Sequence, residues 1–306
     1  MACNVVSILC DWGAGMPGGV AGVEGWYYLG LAYKHLAWLE AKHYRITPSL
    51  QEPAWIAPHT HVFAKRLQYW DPFATELENT LPTLYNEKDR YLFLTGDHSW
   101  SAKILTFLKE VTSDLIVVWI DAHADFHTPG TTPSGHIHGM PLAMLTGINS
   151  ERFHAVPTET WKLWEKHAKP CLPPENLFLI GVRSYEPPED QILQKYLSQT
   201  TFTSEFIHKN GMSPVLEALR RRLQPHSTLY VSFDVDVWDP SFAKGTGSPA
   251  PGGLSIAATR TLLQELLLWP QTRFVEVTEI NPLLDQGHET LLYAYGTIRP
   301  YLERPE

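Results

Sequence analysis

The sequence predicts an α/β protein: a three-layer α/β/α arrangement on a mainly parallel sheet. Two patterns carry this expectation. Short β-branched runs are nearly continuous in apolar residues, as a strand buried on both faces requires. Between them lie longer amphipathic stretches, and strand–helix alternation implies right-handed crossovers with helices on both sides of the sheet. In chain order, strands are expected at Asn4–Cys10, Tyr91–Thr95, Leu115–Ile120, Leu177–Gly181, Thr228–Phe233 and Arg273–Val277. Helices are expected to include Val23–Glu40, Ala102–Val111, Pro214–Leu223 and Ala257–Leu267. The N-terminal run lacks a basic leader and is short in apolar residues, so it reads as a strand rather than a signal peptide. There is no internal repeat, and Pro170–Pro174 and Pro249–Gly253 are too short to separate domains. Residues 1–306 are therefore expected to form a single domain.

The bulk numbers narrow the function classes. A chain of 306 residues that is 44% hydrophobic and 12% aromatic can bury a large core. A net charge of −9 with no long basic run disfavours nucleic acid and anionic membrane, and suits a small cationic partner. No apolar stretch approaches the roughly 20 residues of a membrane span. Cys3, Cys10 and Cys171 are too scattered for a disulfide framework or a zinc knuckle, which leads us to expect a reducing, cytoplasmic setting.

In parallel sheets ligands bind beyond the carboxyl ends of the strands. Three of the expected strands end in Asp and His. Thr95-Gly96-Asp97-His98-Ser99 follows the first of these, with Gly96 permitting a tight turn. Asp121-Ala122-His123-Ala124-Asp125 follows LIVVWI; if the backbone stays extended, Asp121, His123 and Asp125 share one face. Asp234-Val235-Asp236 follows TLYVSF, with the same period-two logic. Taken alone, the first is an ordinary turn and the last a commonplace pair. Together they gather two His and four Asp, and unpaired buried carboxylates are costly. Two divalent cations balance four carboxylates, and a shared hydroxide then leaves a charge of about −1 that a guanidinium neutralises. Oxygen-rich ligation with two imidazoles and no thiolate suits Mn²⁺ better than structural Zn²⁺.

These residues resemble the motifs of the ureohydrolase family of arginases and agmatinases. Gly96–Ser99 is similar to that family's GGDHS, with Thr95 at the first Gly, and Asp121–Asp125 to its DAHxD. Ser232–Pro240 (SFDVDVWDP) resembles SxDxDxxDP, and Glu279–Pro282 resembles E-[VI]-N-P. Gly13–Gly25, His127–Pro141 and Gly245–Gly253 are closest to the arginase branch. The resemblance implies an arginase-like fold and two Mn²⁺ ions, with other divalent transition metals accepted by the same ligands. His98 and Asp125 would hold one ion, His123 and Asp236 the other, and Asp121 and Asp234 would bridge them. Asp125 would also carry a proton to the leaving amine, His138 would shuttle protons, and Glu279 would hold the guanidinium. The implied reaction is L-arginine to L-ornithine and urea, in a homo-oligomer that is a trimer or hexamer by analogy.

The amino-acid end of the site departs from this pattern. His127 and His136 stand where arginases place Asn, Ser134 keeps the family's Ser, and Glu186 takes an Asp position on a longer arm. Ser248, in the GTGSPAPGG loop, is a further substrate-side candidate. Either these residues still clamp an α-amino acid, or the rim suits another guanidino or amidino compound such as agmatine or a guanidino acid. Two other classes compete: a single-zinc deacetylase on the same fold, and a non-catalytic metal-binding relative. His35, His43, His59, His61, His154, His167, His208, His226 and His288 lie outside the motif loops and are expected to be surface or structural. Tyr69, Trp70, Trp161 and Trp164 are expected to pack, and Cys171 is given no role.

Overall fold

The computed structural model describes residues 3–49, 55, 60–149 and 151–304; His59 and the last two residues of the tail lie outside them. The first half runs β1 (Cys3–Ile8), α1 (Gly19–Ala32), α2 (Leu36–Glu40), β2 (Lys42–Ile46), α3 (Leu67–Leu84), β3 (Arg90–Thr95), α4 (Ser101–Val111), β4 (Leu115–Ile120) and α5 (Pro141–Thr146). The second half runs α6 (Thr158–His167), β5 (Leu177–Ile180), α7 (Pro187–Tyr196), β6 (Thr201–Phe202), α8 (Ser204–Asn210), α9 (Ser213–Arg222), β7 (Thr228–Asp234), α10 (Ile256–Leu266), β8 (Thr272–Thr278) and α11 (Glu289–Leu302).

The eight strands form one sheet in the order β2-β1-β3-β8-β7-β4-β5-β6. Every adjacent pair is parallel. Alternate residues of each central strand face opposite layers. Leu115, Val117 and Trp119 pack with Trp70, Leu105 and Trp161, whereas Ile116, Val118 and Ile120 pack with Leu219, Leu263 and Ile298. This two-sided burial explains why the strands read as continuous apolar runs. The four strands β3-β8-β7-β4 lie side by side, so the motif after each emerges at the same sheet edge. The chain passes from β3 to β4 and fills the gap only later with β7 and β8, which makes this the switch region where a crevice forms.

The expected helix Val23–Glu40 is two helices. It breaks at Tyr33-Lys34-His35, where Lys34 adopts a left-handed φ of 49°. The break turns α2 across α1, so that Gly30 lies flush against Trp38, with no room for a Cβ. At its other end α1 sits directly on the strand ends, because a Cβ on Gly19 would meet the Gly96 carbonyl.

The layer above β3 and β4 encloses a buried ion network. Lys103 Nζ on α4 donates to Glu78 Oε1 at 2.8 Å and lies 2.8 Å from His167 Nδ1. Nδ1 therefore accepts, and His167 Nε2–H donates to Asp71 Oδ1 at 2.6 Å. Burial and the Lys103 charge push His167 down to about 4 from its ordinary 6.5. Between these pH values the unfolded chain binds the proton and the native chain does not, so stability falls as pH drops from 6.5 to 4. His167→Gln is expected to flatten this slope. Over that window the melting temperature of the wild type should fall by roughly 2–4 °C more than that of the variant, a scale set by the unfolding entropy of a large domain. Parallel slopes in thermal scans would rule out neutral His167.

Candidate metal centre

Each motif bends as soon as it leaves its strand, and the bends aim the side chains. After β3, Asp97 caps a 3-10 turn over His98–Trp100, its Oδ1 accepting from Ser99 N at 2.9 Å and its Oδ2 from Gly13 N at 3.0 Å. This fastens the Gly-rich loop to the His98 turn. After β4 the backbone bends at Ala122, pairs once more at His123 with Ser184, and leaves the extended conformation at Asp125, which corrects the geometry expected above. Asp125 takes a left-handed φ of 55°, and its carboxylate meets His98 beside that of Asp121. After β7, Asp234 and Asp236 are not a period-two pair either, because Val235–Val237 is a 3-10 turn capped by Asp234, whose Oδ1 accepts from Asp236 N at 2.8 Å.

The side chains meet in two groups. His98 Nδ1 lies 2.9 Å from Asp121 Oδ2, 3.3 Å from Asp125 Oδ2 and 3.2 Å from Asp234 Oδ2. His123 Nδ1 lies 2.9 Å from Asp236 Oδ2 and 3.5 Å from Asp121 Oδ1. Asp121 thus offers one oxygen to each group. Two clusters able to hold a cation share it: His98, Asp121 and Asp125, and Asp121, His123 and Asp236. His98 and the carboxylates are buried; His123 has an open side.

The donor set fits a pair of divalent cations. His98 Nε2 is 2.7 Å from Ser232 Oγ, and Ser232 donates its own proton to Glu276 Oε2 at 2.9 Å. Nε2 must therefore be the protonated nitrogen, which leaves the Nδ1 lone pair facing three carboxylates. Both Nδ1 and Asp121 Oδ2 are buried without a hydrogen-bond partner among the described residues, despite their close approach. Oxygen atoms around an imidazole lone pair are the arrangement a cation needs. Without one, protons substitute. Burial together with Asp236 and Asp121 pushes Asp234 well above the usual carboxylate range, and burial with Asp121 pushes Asp125 up to about 6. Burial opposes the charge on His98 and His123, but the carboxylates outweigh it and hold both well above their ordinary value.

The groups open into a cleft of about 190 Å³. His127, Ser134, His136, His138, Glu186 and Ser248 all line it. Glu279 does not. It lies behind His138, with a left-handed φ of 61°; Oε1 accepts from His98 N at 3.0 Å and pairs with His138 Nδ1 at 2.8 Å. Burial would lower the His138 pKa, but the Glu279 charge raises it.

The rim residues are engaged with each other. His127 Nε2 lies 2.8 Å from Glu186 Oε2, and Nδ1 lies 3.3 Å from Thr131 Oγ1. Burial lowers the His127 pKa against the pull of Glu186, so the ring is neutral with its single proton directed at Glu186. Glu189, missing from the sequence reading, also lines the cleft. Burial pushes it up to about 8, and it accepts from Phe126 N at 3.0 Å and Glu186 N at 3.2 Å. Its signal was the Glu186-x-x-Glu189 spacing, a reciprocal capping box at the start of α7.

Comparison with known proteins extends this picture. The sequence profile of the arginase family matches residues 47–302. Mouse mitochondrial arginase-2 is 36% identical over 196 residues, which is 63% of this chain and 53% of that protein. The match therefore spans about half the length of that relative. The crystal structure of Bacillus subtilis arginase superposes with a TM-score of 0.81 at 26% identity, covering 100% of this chain and 99% of that one. Entamoeba histolytica arginase in complex with L-ornithine shares the fold, with a TM-score of 0.82 at 24% identity over 97% of this chain and 98% of that one.

Proposed function

The chain belongs to the arginase family, and from that premise we propose that it is a dinuclear-metal hydrolase that cleaves a guanidino compound to urea and an amine, with L-arginine as the leading substrate. The observation that carries the proposal is the convergence of His98, Asp121, Asp125, His123, Asp234 and Asp236 from neighbouring strand ends, with Asp121 shared between two groups. We assign residues 1–306 to one catalytic domain.

His98 and Asp125 would hold one ion, His123 and Asp236 the other, with Asp121 and Asp234 between them; Mn²⁺ suits the oxygen-rich donors. Bound there, the pair would supply Lewis acidity and a water acidic enough to attack the guanidinium carbon near neutral pH. The chain's own residues do the rest. By analogy with arginases Glu279 would hold the planar cation, through the oxygen that His98 and His138 leave open, from its place behind His138. Asp125 would take the proton of the attacking water and pass it to the leaving amine. His138 has Nδ1 committed to Glu279, so proton exchange with solvent would run through Nε2.

At the rim, Glu186 would receive the substrate's ammonium group. A second reading is favoured by one observation: because His127 directs its proton at Glu186, it is not free to donate to a substrate carboxylate. The substrate would then carry an amine but need no carboxylate, as agmatine does. Urea release by Mn²⁺-loaded protein from L-arginine, agmatine and guanidinobutyrate separates the readings. Glu186→Gln is expected to raise KM about 10-fold for ammonium-bearing substrates, the scale of one charge-assisted hydrogen bond at a half-exposed site. KM for guanidinobutyrate should not rise. Equal effects on all three would remove Glu186 from substrate recognition. Amide cleavage with one ion per chain would overturn the whole proposal in favour of a deacetylase.

A homo-oligomer, trimer or hexamer, is proposed by analogy with arginases, and sedimentation would test it. Among the described residues no helix is long and apolar enough to cross a membrane. A cytoplasmic location is proposed from cysteine usage, although the mouse relative is mitochondrial by name.

A further inference from the structure

Glu276, in the middle of β8, is a carboxylate with no exposure to solvent. A charge so placed is strongly unfavourable unless it is well compensated. No Lys, Arg or His is hydrogen-bonded or ion-paired to it among the described residues. Four hydroxyls compensate it instead. Thr95 Oγ1 donates to Oε1 at 2.8 Å, while Ser101 Oγ, Tyr230 OH and Ser232 Oγ donate to Oε2 at 2.5, 2.6 and 2.9 Å.

Three of these donors surround a single side chain. Thr95 ends the strand that leads into the His98 turn, Ser101 begins the helix that leaves it, and Ser232 accepts from the His98 ring. One carboxylate therefore fastens both flanks of the turn and, through Ser232, the ring nitrogen that faces away from the cleft. Trp119 stacks on the same ring at 3.9 Å and 7°, which closes its remaining freedom. An anion behind Ser232 also favours electron density on imidazole Nδ1, as outer partners of metal-bound histidines do.

We propose that Glu276 is a positioning residue for the metal centre: through Ser232 it fixes the orientation and tautomer of His98 and strengthens Nδ1 as a ligand. The proposal rests on reading His98 as a ligand. Nothing in the local sequence marks Glu276, since its partners come from β3, α4 and β7.

The test is Mn²⁺ binding by the full chain, measured by competition with a fluorescent chelator, with thermal unfolding of the metal-free proteins alongside. In Glu276→Gln the amide oxygen can accept the three Oε2 donors, and the Thr95 hydroxyl can rotate to accept from the amide nitrogen, so chiefly the charge is lost. One of the two ions should bind about 10–100-fold more weakly, the usual scale for outer-shell changes. Tyr230→Phe removes a donor from Glu276 without touching His98. It should lower the melting temperature and leave both affinities unchanged. Ser232→Ala should weaken the same ion, and combining it with Glu276→Gln should add little. Wild-type affinity in Glu276→Gln, with only the melting temperature lowered, would overturn the proposal. If that variant does not fold, unchanged affinity in Ser232→Ala overturns it equally. A wild-type chain that binds no Mn²⁺ would instead overturn the reading of His98 as a ligand.

Discussion

Asp234→Ala is expected to carry fewer than two ions per chain and to release urea at least about 10³-fold more slowly, the scale of losing one preorganised electrostatic element of a reaction centre. Asp234 works in two directions. Its Oδ2 lies 3.2 Å from His98 Nδ1, and its Oδ1 holds the turn that carries Asp236. Alanine removes a ligand from one group and loosens a ligand of the other. The same change should not unfold the metal-free chain. Burial and the neighbouring Asp236 and Asp121 charges favour the neutral form of Asp234 when no ion is bound, so its deletion removes no buried charge on which the metal-free fold depends. Metal analysis and melting temperatures with and without Mn²⁺ make the check. The wild type should gain stability from the ions, as any native-state ligand provides, and the variant should gain little. A fully metallated, fully active Asp234→Ala protein would rule out the ligand assignment.

What the sequence revealed, and what it hid, follows from where each signal sits. The strands β3, β4, β7 and β8 were legible because both faces are buried and the apolar runs are unbroken. The edge strand β2 (KHYRI) is polar and half exposed, and it escaped notice. So did α3, which contains Pro72 and Pro82 and reads as a broken pattern. The residues of the centre were legible as local motifs, but not the way they converge. An extended strand end was the natural assumption for Asp121–Asp125, whereas a left-handed Asp125 and two 3-10 turns do the aiming. Partnerships across the fold left no local trace. Glu276 meets Ser232 from 44 residues away, and His127 meets Glu186 from 59. Only the strand order brings such residues together, and no spacing rule reports it.

Glu279→Gln is expected to cut kcat/KM for guanidino substrates by about 10²–10³-fold, the cost of leaving a buried cation without its partner, while both ions stay bound. Glu279 is not in either ligand cluster, so metal content should be unchanged. The fold should also survive. The Gln carbonyl can take the place of Oε1, accepting from His98 N and pairing with His138 Nδ1. Its NH₂ then replaces the second oxygen and offers hydrogens to a guanidinium that has only hydrogens to offer. The left-handed backbone at this position is a conformation that bulky residues avoid. Gln inherits it unchanged, so stability should stay close to wild type. A second readout identifies the cause. The Glu279 charge is the foremost of the carboxylates that raise the His138 pKa against burial, so removing it shifts the balance toward burial. The step in the pH–rate profile that belongs to His138 should then move to lower pH, and a steric defect would not move it. A variant within a few-fold of wild-type kcat/KM, or one that has lost its ions, would refute the assignment of Glu279 to the guanidinium.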